Sequence, residues 1–307
     1  MAKSRRRRRN IGRNIALFVV VMLIALLITY LSPYLEEYFS NDSQSREPIP
    51  VGDGEYIEIH VIDVGQGDSI LIRTAGGDML IDAGPASGED ELKAYLTEMQ
   101  VDDLEYAVFT HPDADHIGCA DMVLTDYTVS NVIMPEHEKT TKTYQRMMAA
   151  LDASGATLVS PEPDTTFTLG SMTVTILAPI EDKYSSTNDY SVVMRLDFGE
   201  TSFMMTGDAE ETAEQDILAK YSTEMLDCDV LKVGHHGSDT STSQLFLDAV
   251  SPEIALISCG VGNTYGHPYA VTLQKLEAAS AAIYRTDEWG DIVLTSDGTN
   301  ITVKPQE

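Results

Sequence analysis

Residues 106–116 read YAVFTHPDADH, and this stretch decides the fold and the chemistry that the sequence predicts. Tyr106 to Thr110 is apolar and partly β-branched, which is typical of a short buried strand. Four metal-capable side chains follow within six residues: His111, Asp113, Asp115 and His116. Residues i and i+2 of extended backbone share a face, so the first His and the first Asp can point the same way. Two imidazoles and two carboxylates suit Zn²⁺ or Mn²⁺, whereas the alternative is a polar loop that caps a helix.

Further polar side chains lie at the ends of other predicted strands. Alternating or β-branched runs predict strands at Tyr56–Asp63, Met79–Asp82, Ser202–Met205 and Asp229–Val233. The side chains at or just beyond these strand ends include Asp82, Asp208, His235 and His236. Functional residues commonly lie on loops held by a rigid scaffold, so we expect these loops to meet the 111–116 segment at one edge.

The order of predicted strands and helices indicates an α/β fold. The chain after residue 54 divides into two strand-rich halves, each with helical stretches such as Glu89–Met99, Thr141–Ala153 and Ala209–Lys220. Sheets of this kind bury one face against each other and the other face under helices. We therefore expect one αββα sandwich domain over residues 55–307.

The amino-terminal region predicts a membrane anchor. Residues 14–31 (NIALFVVVMLIALLITYL) are almost wholly apolar and close to the ~20 residues that cross the hydrocarbon core. The basic segment 1–13 precedes them, and positive charge favours the cytoplasmic side. We expect a single-pass protein of the cell membrane with an extracellular domain, joined through a flexible linker over 32–54. A cleaved signal peptide is the alternative.

The charge of the chain is strongly acidic and unevenly placed. Seven of the 20 basic residues lie in the first thirteen positions, which leaves 13 against 49 acidic residues in the remainder, a net of −36. Such a body disfavours tight, sequence-independent binding to a phosphate backbone, which normally uses a basic face. Any contact with nucleic acid has to be local or assisted by bound cations. Three cysteines are too few for a disulfide framework.

Eight stretches in order carry a family resemblance. They read HVIDVGQGDSILI, MLIDAG, FTHPDADHIG, NDYSVVMRL, FMMTGDAE, LKVGHHGS, YGHP and IYRTDEWGDIVL, and they extend over residues 59–294. Together they resemble the metallo-β-lactamase-like domain of the ComEC DNA-uptake channel family. The 111–116 segment is similar to the His-x-His-x-Asp-His signature of metallo-β-lactamase-like hydrolases, with Asp113 in place of the second His. The chain has one candidate membrane span, so the resemblance does not imply that it forms the DNA channel itself.

The resemblance implies a hydrolase with two divalent metal ions, Zn²⁺ or Mn²⁺. It implies that His111 and Asp113 hold one ion and that Asp115 and His116 hold the other. Asp208 is expected to bridge the two ions. Either His235 or His236 is expected to add a ligand. We take His235 as the ligand and expect Asp115 and His236 to take part in catalysis.

One ligand of the wider superfamily is missing. That superfamily has a further His between the first motif and the bridging Asp, whereas the only His in this interval is His137, which we interpret as an exposed loop residue. Asn188 and Ser191 occupy the later part of the interval. We therefore expect one of the two metal sites to be poorer in ligands and rich in oxygen.

Several other residues are candidates for contact with substrate or for support of the ligands. They are Gln66, Asp68, Asp82, Asn188, Ser191, Lys232, Ser238, His267 and Arg285. Asp82 is expected to orient a ligand, with a simple turn carboxylate as the alternative. Lys232 and Arg285 are cations that could contact a phosphate, but Lys232 lies within a predicted strand and could instead pair with a carboxylate.

The function expected from this combination is metal-dependent hydrolysis of a phosphodiester, in DNA or another nucleic acid. One alternative is a phosphodiester of the cell envelope, as cleaved by related phosphorylcholine esterases, which suits the acidic surface. Another alternative is a binding module that retains the fold without catalysis, for which the missing His is the best support. The sequence gives no indication of a protein partner.

Overall fold

The computed structural model of the chain describes residues 54–305. The predicted basic segment 1–13, the predicted transmembrane helix 14–31 and nearly all of the predicted linker lie outside the described residues. Between residues 54 and 305, no helix is both long and apolar enough to cross a membrane.

Fifteen strands form two sheets in the described part of the chain. An eight-stranded sheet has the order β15-β14-β1-β2-β3-β4-β5-β6, and a seven-stranded sheet has the order β13-β12-β11-β10-β9-β8-β7. The strands are β1 Ile57–Val61, β2 Ile70–Thr74, β3 Gly77–Ile81, β4 Asp103–Val108, β5 Thr128–Ile133, β6 Thr157–Val159, β7 Thr166–Leu169, β8 Met172–Ala178, β9 Val193–Phe198, β10 Thr201–Met205, β11 Val230–Lys232, β12 Ile254–Ile257, β13 Ala282–Arg285, β14 Ile292–Ser296 and β15 Ile301–Pro305.

Eight α-helices connect these strands between residues 54 and 305. They are α1 Glu89–Glu98, α2 Ala120–Asp126, α3 Lys142–Ser154, α4 Glu211–Lys220, α5 Thr223–Leu226, α6 Gln244–Val250, α7 Ala270–Ala278 and α8 Thr286–Trp289. Short 3₁₀ turns occur at Ala86–Gly88, Asn188–Tyr190 and Gly234–Gly237.

Apolar side chains alternate between the two faces of the strands and form three apolar layers, one between the sheets and one on the outer face of each sheet. Met79 and Ile81 of β3 pack in the core between the two sheets, whereas Leu80 faces the cluster that also contains Leu92 and Leu96 of α1. The second sheet has the same arrangement, with its outer face covered by α4, α6 and α7. Successive side chains of a strand point to opposite faces, so one apolar strand can serve both layers.

The predicted αββα order agrees with this architecture. The sequence missed three short elements, β7, α5 and α8, each of four residues. Four residues give little periodicity from which a helix or strand can be recognised, and tertiary packing decides such segments. The turn between β2 and β3 comprises only residues 75 and 76, because Gly77 already pairs with Thr74 in the ladder of the two strands.

Parallel pairing brings the predicted loops to one edge of each sheet. β3, β4, β5 and β6 run parallel in the first sheet, and β10, β11, β12 and β13 run parallel in the second. The carboxyl ends of parallel strands meet at the same edge, which is where ligands bind in open α/β sheets.

The loop after β4 is fixed on the loop after β3. The amide of Gly118 donates to the carbonyl of Gly84 at 2.7 Å, and the amide of Ala83 donates to the carbonyl of His116 at 2.7 Å. A Cβ at Gly118 would lie 2.5 Å from the carbonyl oxygen of Gly84 and closer still to the backbone of Pro85 and Ala86. The two loops can approach this closely because residue 118 has no side chain.

Gly118→Ala should therefore destabilise the domain, because backbone rather than a flexible side chain would have to move. We expect a loss of about 1–3 kcal/mol, the usual cost of overpacking a tight contact. The free energy of unfolding, measured by denaturant titration of the metal-free protein, checks this. An alanine variant as stable as the wild type would contradict the close approach.

Candidate metal centre

One buried carboxylate is the centre of the site. Asp208 follows β10 and is 2% exposed. Its Oδ2 lies 3.2 Å from Nε2 of His116, 3.5 Å from Nε2 of His236, 3.7 Å from Nε2 of His235 and 4.0 Å from Nε2 of His111. Four imidazoles from two sheets thus direct the same ring nitrogen to one oxygen. The predicted proximity of Asp208 to the 111–116 segment is what the structure shows.

The two histidines of the first sheet are oriented through their Nδ1 atoms. Asp82 Oδ2 lies 2.7 Å from Nδ1 of His116, and the same carboxylate accepts hydrogen bonds from the amide and hydroxyl of Thr110 at 2.7 Å. Nδ1 of His111 lies 3.3 Å from the hydroxyl of Ser191, which also accepts from the amide of Asp208 at 3.0 Å. Such partners fix the ring orientation and the tautomer of a metal-binding histidine.

The other two histidines are also oriented through Nδ1. Nδ1 of His236 lies 3.0 Å from the carbonyl oxygen of Ser258 and 3.2 Å from Asp68 Oδ1. Nδ1 of His235 lies 3.3 Å from Glu210 Oε1 and 3.3 Å from Nδ2 of Asn188. Every one of the four rings therefore keeps Nε2 for the centre.

Three non-glycine residues of the site have left-handed backbone. The φ angles are 58° at Asp82, 48° at His235 and 53° at His236. Such conformations are uncommon outside glycine and cost free energy, and they concentrate at functional sites. Here the left-handed turn after β11 lets two consecutive histidines reach the same carboxylate.

One set of four side chains has the donors of a complete metal site. Ligand atoms of Asp115, His116, Asp208 and His236 all lie within 4.8 Å of one another. Two imidazole nitrogens and two carboxylate oxygens are a donor set that Zn²⁺ and Mn²⁺ accept. This set contains Asp115 and His116 with Asp208, as the sequence predicted for one of the two ions.

The donors for a second ion are fewer. Nε2 of His111 lies 4.0 Å from Oδ2 of both Asp113 and Asp208. The Asp113 side chain is 37% exposed, and its Oδ1 accepts from Nζ of Lys139 at 3.0 Å. The expected shortage of ligands on this side stays a prediction, and a lysine that pairs with Asp113 competes with any ion there.

The buried atoms of the centre fit a bound cation. Among residues 54–305, Nε2 of His111 and Oδ1 of Asp208 are buried without a hydrogen-bond partner. An unpaired buried polar atom is costly, and a metal ion between these atoms would satisfy both. The donor set and the unpaired atoms therefore agree with the divalent metal that the sequence predicts.

In the metal-free centre, buried imidazolium and carboxylate groups stabilise each other's charge. Burial opposes the charged imidazolium of His236, but the carboxylates of Asp208 and Asp68 outweigh it and raise the pKa of His236 to about 10. Burial likewise opposes the ionised carboxylate of Asp208, but His116 and His236 hold the pKa of Asp208 well below its usual range. Burial, reinforced by His116, lowers the pKa of His111 to about 3. The metal-free centre thus combines protonated and neutral histidines around ionised carboxylates.

The geometry favours a reversal of the roles predicted for the two consecutive histidines. His236 is 1% exposed, and its Nε2 lies 3.3 Å from Asp115 Oδ2. The His235 side chain is 24% exposed, and it lies outside the set of four donors. We therefore propose His236 as the ligand and His235 as the group that exchanges protons, and we propose Asp115 as a ligand rather than a free catalytic group.

Lys232 and Arg285, the two predicted phosphate-binding cations, are both paired with carboxylates. Nζ of Lys232 lies 2.7 Å from Asp68 Oδ2 in an ion pair in which neither side chain is more than 2% exposed. Arg285 donates to Asp287 through Nε at 2.9 Å and contacts Glu288 at 2.9 Å. Lys232 thus follows the carboxylate-pairing alternative, and neither cation is available to a phosphate in this arrangement.

The remaining predicted residues support the loops around the centre. Gln66 accepts a hydrogen bond from the amide of Gly260 at 3.1 Å. Ser238 is 4% exposed, and its hydroxyl lies 3.0 Å from that of Thr240. The His267 ring lies 5.3 Å from the His235 ring, measured between centroids. Three predicted supporting residues therefore act on backbone or on neighbouring rings rather than directly on Asp208.

Sequence reasoning missed two polar side chains at the centre. Glu210 contacts His235 and accepts from the hydroxyl of Thr240 at 2.8 Å, whereas in the sequence it is only an acidic residue near the start of the predicted helix Ala209–Lys220. Lys139 was not singled out, because nothing in the sequence indicates that it contacts Asp113. The spacing of Glu210, two residues after Asp208, was the available signal.

Comparison with known proteins gives a family match for most of the domain. Residues 62–261 match the Metallo-beta-lactamase superfamily. The chain is 31% identical to "ComE operon protein 3" of Bacillus subtilis, over 76% of this chain and 32% of the relative. It is 29% identical to "Competence protein ComA" of Neisseria gonorrhoeae, over 75% of this chain and 31% of that protein. The chain thus spans about a third of the length of these curated relatives, which confirm the resemblance to the ComEC branch.

A solved structure supports the fold. The metallo-β-lactamase fold protein YhfI of Bacillus subtilis superimposes with a TM-score of 0.52 at 14% sequence identity. The match covers 78% of this chain and 100% of that one. At this identity the likeness concerns the arrangement of the two sheets and their helices.

Metal binding to the metal-free protein should release protons. His236 is protonated at neutral pH in the absence of metal, and a histidine must be neutral to bind a metal ion. Zn²⁺ affinity should therefore fall as the pH is lowered, by about tenfold per pH unit for each proton displaced. Calorimetric titration in two buffers of different ionisation enthalpy counts the protons. Equal observed enthalpies in the two buffers would contradict the charge state assigned to the centre.

Loss of both partners of the buried ion pair behind His236 should destabilise the domain less than the sum of the two single losses. Lys232→Met leaves Asp68 buried without its cation, which should cost about 3–5 kcal/mol of unfolding free energy. Lys232→Met combined with Asp68→Asn should cost less than the two single substitutions added together. Denaturant titration of all three variants checks this. Strict additivity would show that the two side chains do not depend on each other.

Proposed function

Since the chain belongs to the metallo-β-lactamase superfamily, we propose that it is a metal-dependent phosphodiesterase that acts on nucleic acid. Proteins with this fold are generally metal-dependent hydrolases that bind divalent ions, and the set of Asp115, His116, Asp208 and His236 is a candidate site for one. The observation that carries the proposal is the convergence of four imidazole Nε2 atoms on Oδ2 of Asp208.

Two groups of donors, one around Asp115 and one around His111, define where ions would be held. Asp115, His116, Asp208 and His236 would hold one ion, and the Asp208 carboxylate also faces His111, which would help to hold the second. Bound divalent ions supply a water that is ionised near neutral pH and positive charge for the oxygens of the phosphate. The residues behind the histidines keep the rings in place, because a ligand that turns away loses its contact.

His235 is the proposed proton donor to the leaving oxygen. Its Nε2 faces the centre, and its partly exposed side chain can exchange protons with solvent. Glu210 and Asn188 hold Nδ1 of the ring on the opposite side. A histidine in this position can donate a proton to the departing alkoxide because it is not bound to a metal ion.

Lys139 is the proposed contact for the substrate phosphate. Its Nζ lies 3.0 Å from Oδ1 of Asp113, at the exposed side of the centre, and the lysine side chain is 26% exposed. Lys232 is buried with Asp68 and Arg285 pairs with two carboxylates, whereas Lys139 pairs with one partly exposed carboxylate, Asp113, for which a bound ion would compete. A lysine ammonium binds phosphate as a point charge, which suits a substrate with a flexible backbone.

Nucleic acid is the proposed substrate class, and the relatives support it. One of them is named as a competence protein. The net charge of −36 over residues 14–307 opposes contact along an extended phosphate backbone. The same charge is the observation that favours the second candidate, a small or envelope-bound phosphodiester such as a phosphocholine ester.

We also propose that residues 14–31 anchor the protein in the cell membrane in a single pass. The basic residues before the segment support an orientation with the domain outside the cell. An extracellular position would give the domain access to both proposed substrate classes, incoming nucleic acid and envelope phosphodiesters.

The proposed activity is tested with the full-length protein in mild detergent and added Zn²⁺ or Mn²⁺. Single-stranded DNA, duplex DNA, bis-p-nitrophenyl phosphate and a p-nitrophenyl phosphocholine ester are offered in parallel. Asp208→Asn should lower the rate at least about a hundredfold, more than loss of a supporting residue would.

Asp121→Asn is the matched control, because it makes the same substitution at a carboxylate that pairs with Arg146 and not with the centre. It should keep wild-type rates. Equal cleavage by Asp208→Asn and the wild type would refute the site. Cleavage of the phosphocholine ester without cleavage of DNA would assign the second substrate class. A wild type that cleaves none of the four compounds with either metal would refute the enzyme.

A further inference from the structure

An uncharged aromatic loop borders the metal centre. We call residues Gly260–Tyr269 (GVGNTYGHPY), which follow β12, the aromatic loop, and this stretch contains no Asp, Glu, Lys or Arg. Tyr265 is 64% exposed and Tyr269 is 39% exposed, whereas His267 between them is 9% exposed. Single exposed aromatic side chains are common, but several that lie together beside a candidate site indicate a binding surface.

The aromatic loop is held rigidly by its own hydrogen bonds. The side chain of Asn263 accepts from the amide of His267 at 3.0 Å and donates to the carbonyl of Gly260 at 3.0 Å. The amide of Tyr269 donates to the carbonyl of Gly237 at 2.9 Å, next to the histidine pair. These bonds fix the backbone positions from which the two tyrosine side chains project.

The rings of the loop connect the surface with the centre. The Tyr265 ring lies 5.8 Å from the His267 ring at an interplanar angle of 25°, and the Tyr269 ring lies 5.5 Å from it. The His267 ring in turn lies 5.3 Å from that of His235 and 6.1 Å from that of His236. The two tyrosines are therefore one ring away from the histidines that face Asp208.

His267 carries an unsatisfied polar atom at this position. Its Nδ1 is buried, and it has no hydrogen-bond partner within residues 54–305. The planar His267 ring lies against the rings of both tyrosines.

We propose that Tyr265 and Tyr269, on either side of His267, form a stacking platform for an unpaired nucleobase of the substrate. This inference rests on the proposed function and names the substrate class more narrowly, as single-stranded nucleic acid. Every base has a planar face, so aromatic rings bind single strands without regard to sequence. Bases within a duplex are already stacked on their neighbours and are not available to such a platform.

The charge of the protein favours this mode of binding over a phosphate-tracking groove. A single-stranded channel normally combines stacking with a basic groove, but the body of this chain has an excess of carboxylates. A base can approach a loop that has no charged side chains. On the rest of the body the excess of carboxylates would repel the neighbouring phosphates. Stacking beside the centre would then hold the strand while the ions hold the scissile phosphate.

The test measures binding separately from cleavage. The full-length protein with metal is titrated with a single-stranded oligonucleotide that has phosphorothioate linkages and one 2-aminopurine. A matched oligonucleotide carries an abasic site at the same position and a dye at one end. We expect the wild type to quench 2-aminopurine and to bind the abasic strand about tenfold more weakly, as loss of one stacked base predicts.

Variants identify the surface. Tyr265→Ala with Tyr269→Ala should remove both the quenching and the preference for the base, whereas the double substitution to Phe should retain them. Tyr56→Ala is the matched control, since Tyr56 is 56% exposed and precedes β1. It should bind like the wild type. Circular dichroism and metal content of each variant establish that the fold and the centre are intact.

The outcomes separate the two proposals. A wild type that prefers the base but cleaves no phosphodiester supports the platform and refutes the proposed enzyme. A wild type that cleaves DNA, but whose double alanine variant keeps the preference for the base, refutes the platform and leaves the enzyme. Equal affinity of the wild type for the base-containing and abasic strands also refutes the platform.

Discussion

The buried carboxylate of Asp208 is the charge that the domain must compensate. An ionised carboxylate at 2% exposure is stable only with positive or hydrogen-bonding partners around it. The partners come from the loop after β11, in the same sheet as Asp208, and from the loop after β4 in the other sheet, so the sandwich must close before His111 and His116 can reach Oδ2. Behind each imidazole lies a second polar group, and Asp82 and Asp68 supply carboxylates for two of them. Assembly of the site therefore depends on the packing of the two sheets.

The backbone of the site stores strain that the sheets can support. Left-handed conformations at Asp82, His235 and His236 occur directly after the parallel strands β3 and β11. Buried strands fix where each loop begins, and hydrogen bonds such as that from Thr110 to Asp82 fix where the loop goes next. A site built in this way exchanges some stability for exact placement of ligands, which is the usual compromise at functional positions.

The sequence predicted the sandwich and the loops of the site because both depend on local patterns. Strand periodicity located nearly all strands, and chemically distinctive residues such as His111 and Asp208 followed them. Contacts between distant parts of the chain could not be predicted in the same way. Lys232 pairs with Asp68, 164 positions earlier, and nothing local in either segment distinguishes that pair from a phosphate contact. Likewise, irregular backbone decides whether His235 or His236 lies deeper, because no helical or strand period applies to it.

An acidic protein can bind a phosphodiester if repulsion by its body and attraction by its metal centre act over different distances. A negative body raises the local concentration of divalent cations and opposes the approach of phosphates, and both effects are screened over about 8 Å at physiological salt. Ions bound between Asp208 and its histidines would present concentrated positive charge at the centre while the surrounding surface stays acidic. A phosphate is then attracted only at short range, and the remainder of the substrate must be held by uncharged contacts. An acidic protein of this kind should select substrates that expose one phosphodiester at a time. Its affinity then does not depend on contacts between many phosphates and a basic groove.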